Sequence, residues 1–373
     1  VKKSLIIILF LIYSGVVHQS AFGQNNPSHE AGYKSDTVEF KNFRTVLIPI
    51  IFYTPETQFG FGVGGQLFFR TKGSRIDTRL SNVFISAIYT IKNQFILDVI
   101  PKIYFKNERY FFNGAFKYKI FPNNFWGIGN NTPDSNLEEY NMESYEVKAA
   151  FLKRLPPSLN FGFEYRFFQH DVIEVKEDGI LANGEVIGST GTTLSGLGVV
   201  FNLDTRDNYF SPNKGHYLQL YGGFTSKAMG STHSFNKYEI DTRKYFPLKE
   251  NHLLAIQGYF EFNFGDVPFQ NAAIFGGADR TRGYFKGRYI DNHIYAIQAE
   301  YRYSFRPRWK VAGFVSAGEV ADIPSNLTKG IKPSFGGGIR FQILKGNPSV
   351  IRLDYGIGPN GNNGFYFGVN EAF

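Results

Sequence analysis

Residues 159–169 read LNFGFEYRFFQ, and the order of side chains there constrains the fold more than anything else in the chain. Phe161, Phe163, Tyr165 and Phe167 share one parity, while Gly162, Glu164, Arg166 and Phe168 share the other. The rhythm returns in NHIYAIQAEYRYSF, where Tyr295, Ile297, Ala299, Tyr301 and Tyr303 oppose Ala296, Gln298, Glu300 and Arg302. It returns again in VIRLDYGIG, where Ile351, Leu353, Tyr355 and Ile357 oppose Arg352, Asp354 and Gly356. A pleated strand sends successive side chains to opposite faces, so a period of two describes strands with one greasy and one polar side. After residue 23 no apolar run is long enough for a helical span, which needs about 20 residues.

Two folds accommodate such strands. In a soluble sandwich the apolar face is the core; in a membrane barrel it meets lipid and the polar face encloses a lumen. Aromatics make up 17% of the chain, yet mean hydropathy is −0.23, which does not describe an ordinary soluble core. The greasy faces are rich in Phe and Tyr, as girdles at lipid interfaces require. Many segments exceed the usual sandwich strand of about five or six residues. The opposite faces carry both charge signs among small residues, which suits a closed polar lumen. These features predict an all-β fold, a 16-stranded antiparallel transmembrane β-barrel of the outer membrane.

The sixteen segments are 44–53, 58–70, 80–91, 94–105, 109–119, 140–153, 159–173, 192–204, 215–226, 233–246, 252–265, 291–304, 309–320, 333–344, 348–358 and 364–373. An even number returns both termini to one side, expected to be the periplasm. Connections at 120–139, 174–191, 266–290 and 321–332 are long; KNER, RLPPSL, PLKEN, RPR and KGNP are short. Long connections outside and short ones inside are the outer-membrane pattern, although the first two outer connections are short and TRDNYFSPNK is a longer inner turn.

The chain opens VKKSLIIILFLIYSGVVHQSAFGQ. A basic start, a short apolar run and small residues before Gln24 predict a signal peptide over 1–23. Residues 24–43 are polar and too few to build a domain, so they are expected to be a short disordered periplasmic segment before a barrel over 44–373. There is no cysteine, which excludes disulfides and thiolate metal sites. The formal charge of +8 is spread among acids, with no basic block of the kind that binds nucleic acid.

Four stretches between 195 and 373 resemble the BamA/TamA-type outer-membrane insertases and translocases, the bacterial surface antigen barrels. FNLDTRDNYFSPNKGHYLQL has the family-like pattern at Asp204, Arg206, Asp207, Pro212 and Gly215. GGADRTRGY matches the signature of the sixth outer loop, at Gly276, Gly277, Arg282, Gly283 and Tyr284. In FVSAGEV, Ser316 stands where the family often has an acid. RLDYGIG carries Asp354. The resemblance implies that the sixth loop folds into the lumen and docks Arg282 on the inner wall. An unpaired charge taken from water costs several kcal/mol, so a carboxylate is required; Asp354 is the first expected partner and Glu300 the second. The resemblance also implies a weak seam between the first and last segments. Pro49 cannot donate to a ladder, and Gly364 and Gly368 weaken strand packing. The last segment ends in Phe373, similar to the signal by which such barrels are recognised for assembly.

Family members usually carry soluble POTRA domains before the barrel; this chain is expected to be a member without them. The function implied is assistance with insertion or translocation of protein or lipid at the outer membrane. Outer-membrane lipid is a partner, with client outer-membrane proteins or lipids and a separate periplasmic chain as further candidates; homodimerisation is left open. Two other readings of the same fold are a solute channel and an outer-membrane hydrolase. The hydrolase is disfavoured: adjacent His170 and Asp171 point to opposite faces, and no G-x-S-x-G is present. The glycine run at 60–65 sits in a strand pattern with no helix after it, so it is no nucleotide loop. No enzyme activity, cofactor or metal is expected.

Overall fold

The computed structural model describes residues 43–72, 78–156, 158–342 and 349–373. The expected leader over 1–23, and the polar segment over 24–43 apart from Phe43, lie outside the described residues.

The period-two segments form strands in the order expected. They are β1 (Phe43–Thr54), β2 (Gln58–Phe69), β3 (Ser81–Thr90), β4 (Phe95–Phe105), β5 (Tyr110–Phe125), β6 (Glu138–Leu155), β7 (Leu159–Glu174), β8 (Thr192–Asp204) and β9 (Gly215–Thr225). The chain continues through β10 (Phe235–Lys249), β11 (His252–Gly265), β12 (Ala273–Phe275), β13 (Tyr289–Asp291), β14 (His293–Arg306), β15 (Trp309–Ala321), β16 (Lys332–Gln342), β17 (Val350–Ile357) and β18 (Asn363–Val369). Sixteen of these close into an antiparallel barrel in which each strand pairs with the next, β11 pairs with β14, and β18 meets β1. The remaining two, β12 and β13, form a small sheet of their own within the β11–β14 connection.

Parity is realised as read. Phe163 is 64% exposed on the outer face, while its neighbours Gly162 and Arg166 are buried. On β14, Gln298, Glu300 and Arg302 are buried and Ile297, Tyr301 and Tyr303 exposed. Ion pairs fill much of the lumen. Arg166 lies between Glu164 at 2.5 Å and Glu239 at 3.0 Å, with its guanidinium 3.4 Å from the centre of the Tyr221 ring.

One end of the lumen is covered by the long connections. Phe125, Tyr140, Leu181, Val267, Phe269 and Ile290 pack into a buried cluster there. The Glu138 carboxylate receives the backbone N–H groups of Ile180 (2.6 Å) and Leu181 (2.9 Å), which ties the β7–β8 connection down. This packing carries β5 on to Phe125, six residues past the expected end at 119.

The reading of 364–373 as one strand that ends in Phe373 is corrected. β18 ends at Val369, Asn370 takes a left-handed φ of 68°, and the following residues turn into the lumen. Phe373 is buried with Ala372 against Tyr245, Leu253 and Ala255 of β10 and β11. The carboxylate of Glu371 explains the turn, because its cationic partners all lie inside.

Candidate functional site: a docked loop and a short seam

The β11–β14 connection enters the barrel, and glycine makes its turns. Gly276, Gly277 and Gly283 have φ of 103°, 100° and 110°, a region that strains any side chain. A Cβ on Gly276 would run into the Phe285 carbonyl, and one on Gly283 would come 2.9 Å from the backbone of Ile357. The loop therefore lies directly on β17.

Arg282 is fully buried at its tip. Its Nη1 donates to Asp354 Oδ2 at 2.6 Å; its Nη2 is 2.7 Å from Glu300 Oε2 and donates to Gln298 Oε1 at 3.3 Å. The guanidinium also rests on the Phe314 ring, 3.6 Å from its centre. The backbone is held as well. Gly283 N–H donates to the Tyr366 hydroxyl (3.0 Å), and the Tyr284 hydroxyl donates to the Pro333 carbonyl (2.9 Å). Ser316, where the family resemblance places an acid, meets Ser334 Oγ at 2.6 Å; Gln298, beside it in register, contacts the arginine instead.

Asp354 and Glu300 belong to a larger cluster. Arg340 contacts Asp354 Oδ1, Glu300 Oε2 (3.2 Å) and Glu371 Oε2 (3.0 Å). Arg302 reaches Glu300 Oε1 at 2.6 Å and Glu371 Oε2 at 3.6 Å, and donates to the Phe373 carbonyl at 3.1 Å. Arg352 lies 3.5 Å from Asp354 Oδ2. Burial opposes ionisation of Glu371, which follows the last strand, but Arg302, Arg340 and Lys310 outweigh it and hold the carboxyl down at about 2. Sequence reading missed Arg340, Glu371, Gln298 and Tyr366. The inward parity of Arg302 and Arg352 was readable, but nothing local says which acid each one meets.

The motif before β9 is tied to the same cluster. Asp204 takes Arg206 in a two-pronged pair, Oδ1 with Nε (2.9 Å) and Oδ2 with Nη2 (2.7 Å), and Tyr217 stacks on the guanidinium at 4.5 Å. Asp207 Oδ1 receives the backbone N–H groups of Asn213 (2.9 Å) and Lys214 (3.2 Å), while Pro212 is buried. Gly215 has φ of 106° and no room for a Cβ beside the Thr205 carbonyl. The turn then touches the tail: Ser211 Oγ is 3.3 Å from Glu371 Oε1, and Glu371 N–H donates to the Phe210 carbonyl at 3.2 Å.

The two strands at the closure differ in pairing. β1 matches β2 along its whole length, from Phe43↔Phe69 to Thr54↔Gln58, but among the described residues it matches β18 only at Tyr53↔Phe367. Pro49 is exposed on β1, opposite Val63 of β2. Gly368 pairs with Arg352, and Gly364 with Gly356. Gly364 leaves space that the Tyr366 side chain takes, and a Cβ on Gly356 would come 2.6 Å from the Arg282 carbonyl carbon. These two inward glycines thus make room for the docked loop.

A model of the Omp85 superfamily domain matches residues 58–373. Among solved structures the barrel is similar to BamA from Haemophilus ducreyi lacking POTRA domains 1–3, at 13% identity and a TM-score of 0.62, covering 88% of this chain and 70% of that one. It is also similar to CdiB from Acinetobacter baumannii (12% identity, TM-score 0.54) and from Escherichia coli (11%, 0.56). Each of these matches covers 88% of this chain, but only 60% and 63% of the respective CdiB chains. No curated protein sequence matches the chain.

Proposed function

The chain belongs to the Omp85 superfamily, and from that premise we propose that it assists insertion or translocation of protein or lipid at the outer membrane of a Gram-negative bacterium. The short seam is the observation that carries this reading. Among the described residues the β1–β18 ladder is matched at Tyr53↔Phe367, far shorter than the β1–β2 ladder, and a strand edge that is short of ladder pairing is a template for an incoming strand. The docked loop holds β14–β18 in place while the seam works. Arg282 draws Glu300 and Asp354 together from two different strands, so the wall beside β18 keeps its shape when β1 moves away. In this reading both termini are periplasmic, and client or partner chains approach from that side.

The test is a reversible clamp. The chain has no cysteine, so Tyr53→Cys with Phe367→Cys introduces one pair at the matched position Tyr53↔Phe367. In the native host, the oxidised form should reproduce the outer-membrane protein and surface-lipid changes of a deletion, and reductant should reverse them. An unchanged profile in the deletion itself would remove both protein assembly and lipid transport as roles.

A further inference from the structure

The lipid-facing side of β15, β16 and β17 carries a groove of about 560 Å³ lined by Gly313, Val315, Phe335, Gly337, Tyr355 and Ile357. Gly313 and Gly337 face each other across two strands and form its floor. Tyr301 and Tyr355 stand at the two ends of that row, and Val315, Phe335 and Ile357 make the row above it. Packing does not require glycine at 313 and crowds position 337 against a single backbone atom. Neither has positive φ; a Cβ on Gly313 meets nothing within 4 Å, and one on Gly337 meets only the Ala312 carbonyl at 3.2 Å. The inward glycines beside them are different, because a Cβ on Gly336 would run into Phe314 and one on Gly338 into Asp354. Glycine weakens a strand. What Gly313 and Gly337 provide in return is the hollow itself.

Toward the short-turn rim the same surface becomes basic and aromatic. Trp309 packs on Phe341, ring centres 4.6 Å apart, and the Arg308 guanidinium lies 4.4 Å from the centre of the Phe341 ring. Arg306 pairs in register with Trp309, so its exposed side chain is on the lipid side of the wall. This rim repeats the arrangement elsewhere, with exposed Lys106 and Arg109 over Tyr110 and Lys244 over Phe246. The opposite rim exposes both signs, Glu139, Glu174, Glu177, Asp178, Glu185 and Asp322 beside Lys92, Lys176, Lys227 and Lys329. From Trp309 to Gly313 is roughly 13 Å of strand, the depth of an acyl chain below its headgroup.

We propose that β15–β17 hold one anionic glycerophospholipid, its phosphate on Arg306 and Arg308 and one acyl chain laid into the hollow over Gly313 and Gly337. The outer face of an Omp85 barrel lies in hydrocarbon, the groove is apolar, and among the described residues the charges beside it on that face, Arg306 and Arg308, are cationic. The lipid would also touch the wall on which the loop docks, because Phe314 lies beneath the groove and carries Arg282 on its ring. This inference rests on the membrane setting of the barrel and is independent of what the seam does.

Native mass spectrometry of the full chain, released from detergent after incubation with equal amounts of phosphatidylglycerol and phosphatidylcholine of identical chains, tests it. The wild type should retain one phosphatidylglycerol in preference to phosphatidylcholine, and inorganic phosphate should not displace it. Arg306→Gln with Arg308→Gln should cut that preference by roughly tenfold, the effect of losing a charge-assisted hydrogen bond. Arg308 also donates to the Gln342 carbonyl at 2.9 Å, so Arg306→Gln alone serves if the double variant fails to fold. Gly337→Leu, or Gly313→Leu, should lower retention of both lipids alike. Equal or absent retention by the wild type, or full retention by every variant, overturns the proposal. So does a dimer that the leucine variants dissolve, since the hollow would then seat a second copy of the chain.

Discussion

The two walls that meet at the seam are filled differently, one by a dense charge network and the other chiefly by apolar side chains. On the β14–β18 side, Glu300, Asp354 and Glu371 thread between Arg282, Arg302, Arg340 and Arg352, all inside the barrel. On the β1–β4 side an apolar cluster takes much of the inner face: Ile50, Phe52, Ile88 and Ile96 are buried together with Phe84 and Phe121 packed against them, and Asp98 pairs with Lys117 beside it at 3.5 Å. Glycines face inward there too, but hydrophobic side chains fill their space; a Cβ on Gly62 would come 2.8 Å from the Ile88 side chain and one on Gly64 3.0 Å from the Phe84 ring. Charge-assisted bonds fix direction and distance, whereas apolar contact is non-directional. The seam therefore joins a stiff wall to a compliant one. Besides the pair at Tyr53, the hydrogen bond from Lys286 N–H to Glu56 Oε1 (2.6 Å) links the docked loop to the β1–β2 turn.

The largest expected effect comes from Asp354→Ala. It leaves the guanidiniums of Arg282, Arg340 and Arg352 without their shared carboxylate, and breaking a buried pair in this way costs about 3–5 kcal/mol. Thermal unfolding in detergent, read by the heat-dependent shift in gel mobility, measures it. If the loss were no greater than that of a conservative change on the apolar wall, the contrast between the walls would be wrong.

Arg282→Ala should destabilise less, because Glu300 keeps Arg302 and Arg340, and Asp354 keeps Arg340 and Arg352. Its sharper readout is conductance in planar bilayers. The wild type should pass little current, and the variant should show larger, flickering current as the loop leaves the wall. A large steady current in the wild type would favour the channel reading instead.

Acid should loosen the stiff wall selectively. The Glu371 carboxyl is held below its usual value, so its contribution is complete above about 4.5 and fades as pH falls toward about 2. Unfolding temperatures measured across that window should drop, and Glu371→Gln should flatten this part of the profile. An identical slope in the variant would remove the tail from the account.

The smallest effect should come from Ile88→Val, about 0.5–1.5 kcal/mol for one methylene. Because it changes only the compliant wall, it should leave the conductance of the wild type unaltered.

Strand identity and face were legible from the residues alone, because alternation is a local property of a pleated backbone. Glu300, Arg302, Arg352 and Asp354 could be placed inside from parity, and the left-handed glycines of the loop from composition. The tail could not. By parity Phe373 belongs with Phe365, but the pull of Arg302, Arg340 and Lys310 on Glu371 overrides the strand pattern after Val369. Nor does any local pattern state how far β1 and β18 overlap. That length, the choice of which arginine meets which acid, and the pairing of Gly313 with Gly337 depend on the stagger with which sixteen strands close and on what enters the lumen. Those are properties of the closed tube, and no single segment contains them.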